Sequence, residues 1–208
     1  MNTVRILTTA AFATAIAVTT ALAQQPQAQR LRGTIEKVDG NTLLIKGPDG
    51  APVTLKLADN AVVVGVLKAT VADIKEGSYI GSGALPQPDG TQKAVEVHIF
   101  AESQRGTGDG HRGNWDGTSY GAGIGTMTNG AVGQAVSSVD GPVVTVKYKD
   151  GEKKITVPAN APIVAYVPGD KNDIKPGAKV FIVAVKQADG TYQGRAWRIG
   201  RDGLTPPM

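Results

Sequence analysis

The chain alternates apolar and polar residues over short runs. Val53, Leu55 and Leu57 are separated by Thr54 and Lys56, the period-two mark of a strand with one face in a core. Thr34–Val38 and Leu43–Lys46 flank Asp39-Gly40, a hairpin signal, and Asp49-Gly50 and Asp89-Gly90 mark further turns. A β-branched run, Ala61–Val66, precedes a short segment in which Thr70 and Asp73 predict one capped helical turn. Ile74 would be its inward plug and Gly77 its stop. Two longer strands, Ser78–Leu85 and Thr91–Phe100, complete the unit. In the last one Val95, Val97 and Ile99 are expected on the inner face, with Glu96 and His98 on the outer, solvated one.

The same order of landmarks occurs twice. Val38-Asp39-Gly40 and Asp49-Gly50 match Val139-Asp140-Gly141 and Asp150-Gly151 at an offset of 101. Asn60-Ala61, Asp73-Ile74-Lys75 with Gly77, and Asp89-Gly90-Thr91 match their counterparts at an offset of 100. An internal duplication of sheet-forming units with one helical plug predicts an all-β fold of two tandem small barrels, residues 31–100 and 131–200. The order of elements points to an oligonucleotide/oligosaccharide-binding (OB) type or a similar Greek-key barrel. By the same pattern Arg195, Trp197 and Ile199 belong to the inner face of the second copy, with Trp197 in its core. Residues 101–130 are glycine-rich and aperiodic and read as a linker, with Trp115 and Tyr120 tucked against a barrel to pin it. Residues 24–30 and 201–208 read as flexible ends.

The first 23 residues have Arg5, then an uncharged, mildly apolar stretch Ile6–Thr20, then Ala21-Leu22-Ala23. This is the pattern of a secretory signal peptide cleaved between Ala23 and Gln24, and it predicts a periplasmic or secreted protein. No later apolar run approaches the roughly 18 residues of a spanning helix, so the chain is not expected to cross a membrane by helices. The absence of cysteine excludes disulfides and thiolate metal sites.

The repeated motifs Val38-Asp39-Gly40, Asp73-Ile74-Lys75-x-Gly77 and Asp89-Gly90 resemble those of a family of exported bacterial β-domains of unknown function. Arg105-Gly106-Thr107-Gly108, Gly110-His111-Arg112 and Thr126-Met127-Thr128-Asn129 are similar to a proteobacterial subgroup sometimes labelled a metal-transporter permease. The resemblance implies an exported β-protein and carries no catalytic residues. The permease label implies several spanning helices, for which this sequence has no segment.

That label makes metal donors the first chemistry to weigh. His98 and Glu96 share a strand face, a poor two-donor site; Asp109, His111 and Asp116 lie within eight positions and are the better candidates. Neither set is assigned as a metal site, and no catalytic residue or cofactor is assigned. Nucleophilic catalysis would need a base beside a nucleophile, and the chain has two histidines and no Gly-x-Ser-x-Gly elbow. Charge is more informative. Residues 31–100 carry 7 basic and 8 acidic groups, whereas 131–200 carry 10 and 6. The excess concentrates in Lys147, Lys149, Lys153 and Lys154, an expected patch for an anionic envelope polymer or an envelope protein. Export argues against nucleic acid. The sequence therefore predicts a non-enzymatic, exported binding or structural module of the cell envelope, with an accessory role in metal handling as the alternative.

Overall fold

The computed structural model describes residues 28–207, and the leader with its Ala23–Gln24 junction lies outside them. The fold is all-β, with no α-helix among the described residues. The strands are β1 (Ala28–Asp39), β2 (Thr42–Lys46), β3 (Pro52–Lys68), β4 (Tyr79–Pro86), β5 (Gln92–Ile99), β6 (Gly110–Asp116), β7 (Ile124–Val136), β8 (Val143–Tyr148), β9 (Gly151–Thr156), β10 (Ile163–Pro168), β11 (Lys179–Lys186) and β12 (Tyr192–Gly200).

Strands β12-β11-β1-β2-β3 follow one another, and β3 closes the ring by pairing in parallel with β12, from Leu55↔Tyr192 to Val66↔Gly200. This five-stranded barrel is filled by inward residues at alternate positions: Ile35, Leu43, Ile45, Leu55, Val180, Ile182 and Ile199 pack around a fully buried Trp197. The remaining strands run β5-β4-β7-β8-β9, and the two ends of that run meet in a short parallel pairing, Gln92↔Ile155 and Lys93↔Thr156. Their shared core holds Ile80, Val97, Val132, Val144, Val146 and Ile155. Strand β10 joins the two groups, antiparallel to β3 and parallel to β5. Val66 lies directly opposite Tyr166 in the β3–β10 pairing, so this tract relates residues 100 apart by a local two-fold.

The pairing departs from the expected tandem arrangement. Residues 31–100 do not close on themselves: β1 pairs with β11, and β4 pairs with β7. The cause lies in the crossings after β3 and β10. Thr70 donates its backbone N–H and its hydroxyl to Asp73 Oδ2, both at 2.8 Å, capping the 3-10 turn Val71–Asp73. Ile74 then plugs the core of Val132 and Val144, while Ile174 plugs that of Trp197. Gly77 donates to the Val132 carbonyl and Val132 to that of Ser78; Gly177 donates to Ile35 and Ile35 to Ala178. Each hairpin is thereby delivered to the first three strands of the other copy.

Further expectations are corrected locally. Val139 is fully exposed in the long loop between β7 and β8, whereas Val38 pairs with Leu43 inside the sheet, so that motif does not mark equivalent positions. Hairpins β4–β5 and β11–β12 share one register, Gly81↔His98 and Phe181↔Arg198 among their pairs, and both skip one residue, Val95 and Arg195. These bulges take Val95 and Arg195 off the inner face, and Arg195 is exposed. Residues 28–30 belong to β1, and the supposed linker contains β6 and the start of β7, which pair from Gly110↔Asn129 to Asp116↔Ile124. The carboxy-terminal residues are also packed. Arg201 donates its backbone N–H to Val66 and its guanidinium to Asp173 at 3.1 Å, Leu204 packs with Val66, Val164 and Tyr166, and Pro206 is buried.

Candidate functional site

On β4, β5 and the adjoining β7 buried residues become polar: Ser82, Gln92, Glu96, His98, Thr126, Thr128 and Asn129. Gly81 and Gly83 lie on β4 opposite His98 and Glu96 on β5. The two glycines leave room that other residues take. A Cβ on Gly83 would lie 2.3 Å from the Trp115 ring, and one on Gly81 would lie 2.0 Å from His98 Nε2. The segment expected to be a linker therefore forms a cover: Trp115 is 3% exposed and stacks on Tyr120. The expectation that these aromatics pin the segment holds.

Under that cover Glu96 is fully buried and His98 nearly so, correcting the expected solvated face. Tyr120 donates its hydroxyl to Glu96 Oε2, while Glu96 Oε1 is buried without a partner. Burial pushes the Glu96 carboxyl up to about 7, against the opposing pull of the Tyr120 hydroxyl and of Arg32, Arg198 and Arg30. Burial, helped by the Arg198 charge, takes His98 down to about 3 and keeps the ring neutral. That ring stacks on Tyr166 at 5.1 Å and meets the edge of Phe100 at 5.0 Å. Ser82 donates to the Glu96 backbone carbonyl at 3.1 Å, and Thr126 donates to Gln92 Oε1 at 2.8 Å.

Arginines from both copies gather beside this face. Arg198 lies over Tyr166 and Phe181 at 5.3 and 5.2 Å, and Arg32 lies over Phe181 at 5.1 Å. Arg30, Arg112 and Arg198 line a pocket of about 230 Å³ together with His98, Trp115 and Asn129. Among the described residues, none of these three arginines has a carboxylate partner within ion-pair distance. The pocket draws on β1, β5, β6, β7 and β12 and so lies in the seam between the two strand groups.

The residues weighed as metal donors each have other partners. Asp109 accepts from Tyr79 at 3.1 Å and from the Lys149 backbone at 2.8 Å; His111 Nδ1 is 2.8 Å from Thr128 Oγ1; Asp116 accepts twice from Thr118. No three metal-donor side chains come together among the described residues. The lysine patch is divided as well. Lys147 lies opposite Glu152 and Lys154 opposite Thr145, while Lys153 is opposite Val146 and its charge acts on His111. Adjacent residues point to opposite faces of a strand, so Lys153 and Lys154 do not share one.

Sequence reasoning missed the arginines. They are scattered over positions 30, 32, 112 and 198, and the first lies in a stretch read as frayed. The available signal was the difference between the copies, Gly81 and Gly83 in one against Phe181 and Val183 in the other. No family model matches the chain, nor does any curated protein or solved structure.

Proposed function

We propose that this protein is an exported, non-catalytic binding module of the cell envelope, built from two OB-like barrels that exchange their last hairpins and bind an anionic partner in the seam between them. The observation that carries this reading is the gathering of Arg30, Arg112 and Arg198, without acidic partners among the described residues, beside a polar interior sealed by Trp115 and Tyr120. A buried carboxyl and imidazole in place of apolar packing weaken a fold, and a binding role accounts for their presence. The His98 ring, uncharged and stacked on Tyr166, serves as wall rather than as a proton carrier. The apolar leader and the resemblance to exported β-domains agree with an envelope location.

Retention of the mature chain on immobilised dextran sulfate, against uncharged dextran, tests the reading. Arg30→Ala with Arg198→Ala should abolish salt-sensitive retention, and Lys147→Ala with Lys154→Ala should leave most of it. The opposite ranking would move the binding surface to the lysine strands and overturn the proposal.

A further inference from the structure

We infer that the seam pocket is a site for a tetrahedral oxyanion that still carries a proton, namely hydrogen phosphate or the end of a phosphate monoester. This rests on the reading of the seam as the binding region and names the chemical group that occupies it. Arg30, Arg112 and Arg198 line one pocket from three different strands, and an anion between them offsets their like charge. Guanidinium forks match the oxygens of phosphate in spacing and direction.

Two buried atoms in the same wall point the same way. Trp115 Nε1 is a donor with no acceptor, and Asn129 Oδ1 is an acceptor with no donor. Such groups are costly unless a ligand satisfies them. The Asn129 amide is oriented by its Nδ2, which donates to the Thr107 carbonyl at 3.1 Å, so the oxygen is the atom left over. A ligand that meets both must accept from an indole N–H and donate to an amide oxygen. Hydrogen phosphate and a singly protonated monoester do both; sulfate and acetate at neutral pH have no proton to give. Size agrees with this. At roughly 30 Å³ per water, the space of about 230 Å³ equals several waters. That volume falls below the roughly 300 Å³ at which pockets for drug-sized ligands begin. It holds a phosphate and the first atoms of an ester.

Calorimetric titration of the mature chain with sodium phosphate, methyl phosphate, sulfate and acetate at about pH 6, where a monoester keeps its proton about half the time, and low ionic strength tests the assignment. Saturable one-to-one binding of phosphate, with sulfate and acetate weaker, is expected. Binding of methyl phosphate as tight as that of phosphate assigns an ester terminus, and binding of inorganic phosphate alone assigns the free ion. Arg112→Gln and Arg198→Gln should each weaken phosphate by roughly tenfold or more. Arg195→Gln removes the same charge from an exposed position of β12 and should change affinity by no more than about twofold. Absence of saturation, sulfate binding as tightly as phosphate, or an equal loss with Arg195→Gln would overturn the inference. If Arg198→Gln fails to fold, Arg112→Gln on the exposed cover strand decides. A silent phosphate titration with seam-dependent retention on dextran sulfate intact would refute the oxyanion alone; loss of both would refute the binding reading too.

Discussion

Hairpins β4–β5 and β11–β12 have the same length of turn, the same register and the same bulge, yet β4–β5 carries a buried carboxyl and imidazole on its outer face where β11–β12 carries Ala196 and Arg198. Four exchanges on the outer face bear on it. Gly81, Gly83, Glu96 and His98 in the first correspond to Phe181, Val183, Ala196 and Arg198 in the second. The inward positions stay buried or half-buried in both, Ile80, Ser82, Val97 and Ile99 corresponding to Val180, Ile182, Trp197 and Ile199. What differs is how much of the outer face is left empty. Two missing side chains on β4 admit Trp115 and with it the cover strand β6, and the cover withdraws Glu96 and His98 from water. Two hairpins of one register can thus differ in chemistry because bulk is missing from one outer face.

The sharpest way to break this comparison is through protons. Folding raises Glu96 from 4.5 to about 7, so the folded chain holds that proton more tightly than the unfolded one. The stability it supplies is complete below about pH 4.5 and lost as the pH rises through 7. His98 has the opposite sign: lowered from 6.5 to about 3, it supplies stability in full above 6.5 and loses it as the pH falls towards 3. The charges facing Glu96 are Arg30 and Arg32 on β1 and Arg198 on β12, with the Tyr120 and Tyr166 hydroxyls beside it. Arg198 also faces His98. The two slopes oppose each other between about 4.5 and 6.5, and stability should be nearly level there. Glu96→Gln should be close to the parent at pH 5 and more stable at pH 8 by on the order of 3 kcal/mol. Urea unfolding at the two values checks it, and parallel pH curves would show that Glu96 is not desolvated as described.

A smaller effect comes from transplanting one hairpin's residue into the other. Gly83→Val drives a side chain into the Trp115 ring and should destabilise by about 1–3 kcal/mol, with Trp115 fluorescence shifting to the red. Val183→Gly, the reverse exchange, leaves the emission unchanged. Equal tolerance of both would remove the role given to the glycines. Smallest of all is the exposed Lys56–Asp189 ion pair at 2.8 Å, for which the equivalent positions offer Thr156 and Asp89. Lys56→Ala should move the melting temperature by little more than the scatter of repeated melts, and added salt should erase the difference.

Much of the sheet was legible because alternation and Asp-Gly turns act over a few residues. Val53, Leu55 and Leu57 announce their strand, and Thr70 with Asp73 announce the turn whose Ile74 becomes a plug. The pairing of β4 with β7 and of β1 with β11 was not legible. Either partner for β4 buries the same apolar face, so periodicity cannot distinguish them; the choice is made by where the chain travels after Lys68. The cover strand was hidden for another reason. Its glycines mask alternation, and it gains its place from a vacancy on a distant strand. Glu96 and His98 were correctly placed on one shared face, but solvation was inferred from their polarity, and only a neighbour 20 residues away reverses that.

The pairing of β1 with β11 and of β3 with β12 also imposes an order of events on the chain. The five-stranded barrel begins with β1 and cannot complete its ring until residues 179–200 have arrived. Until then β1 to β3 wait with their edges unpaired, because contacts of such long sequence separation form late and slowly. A polypeptide emerging from its amino terminus is thereby kept from closing this barrel early, and its last hairpin acts as the latch.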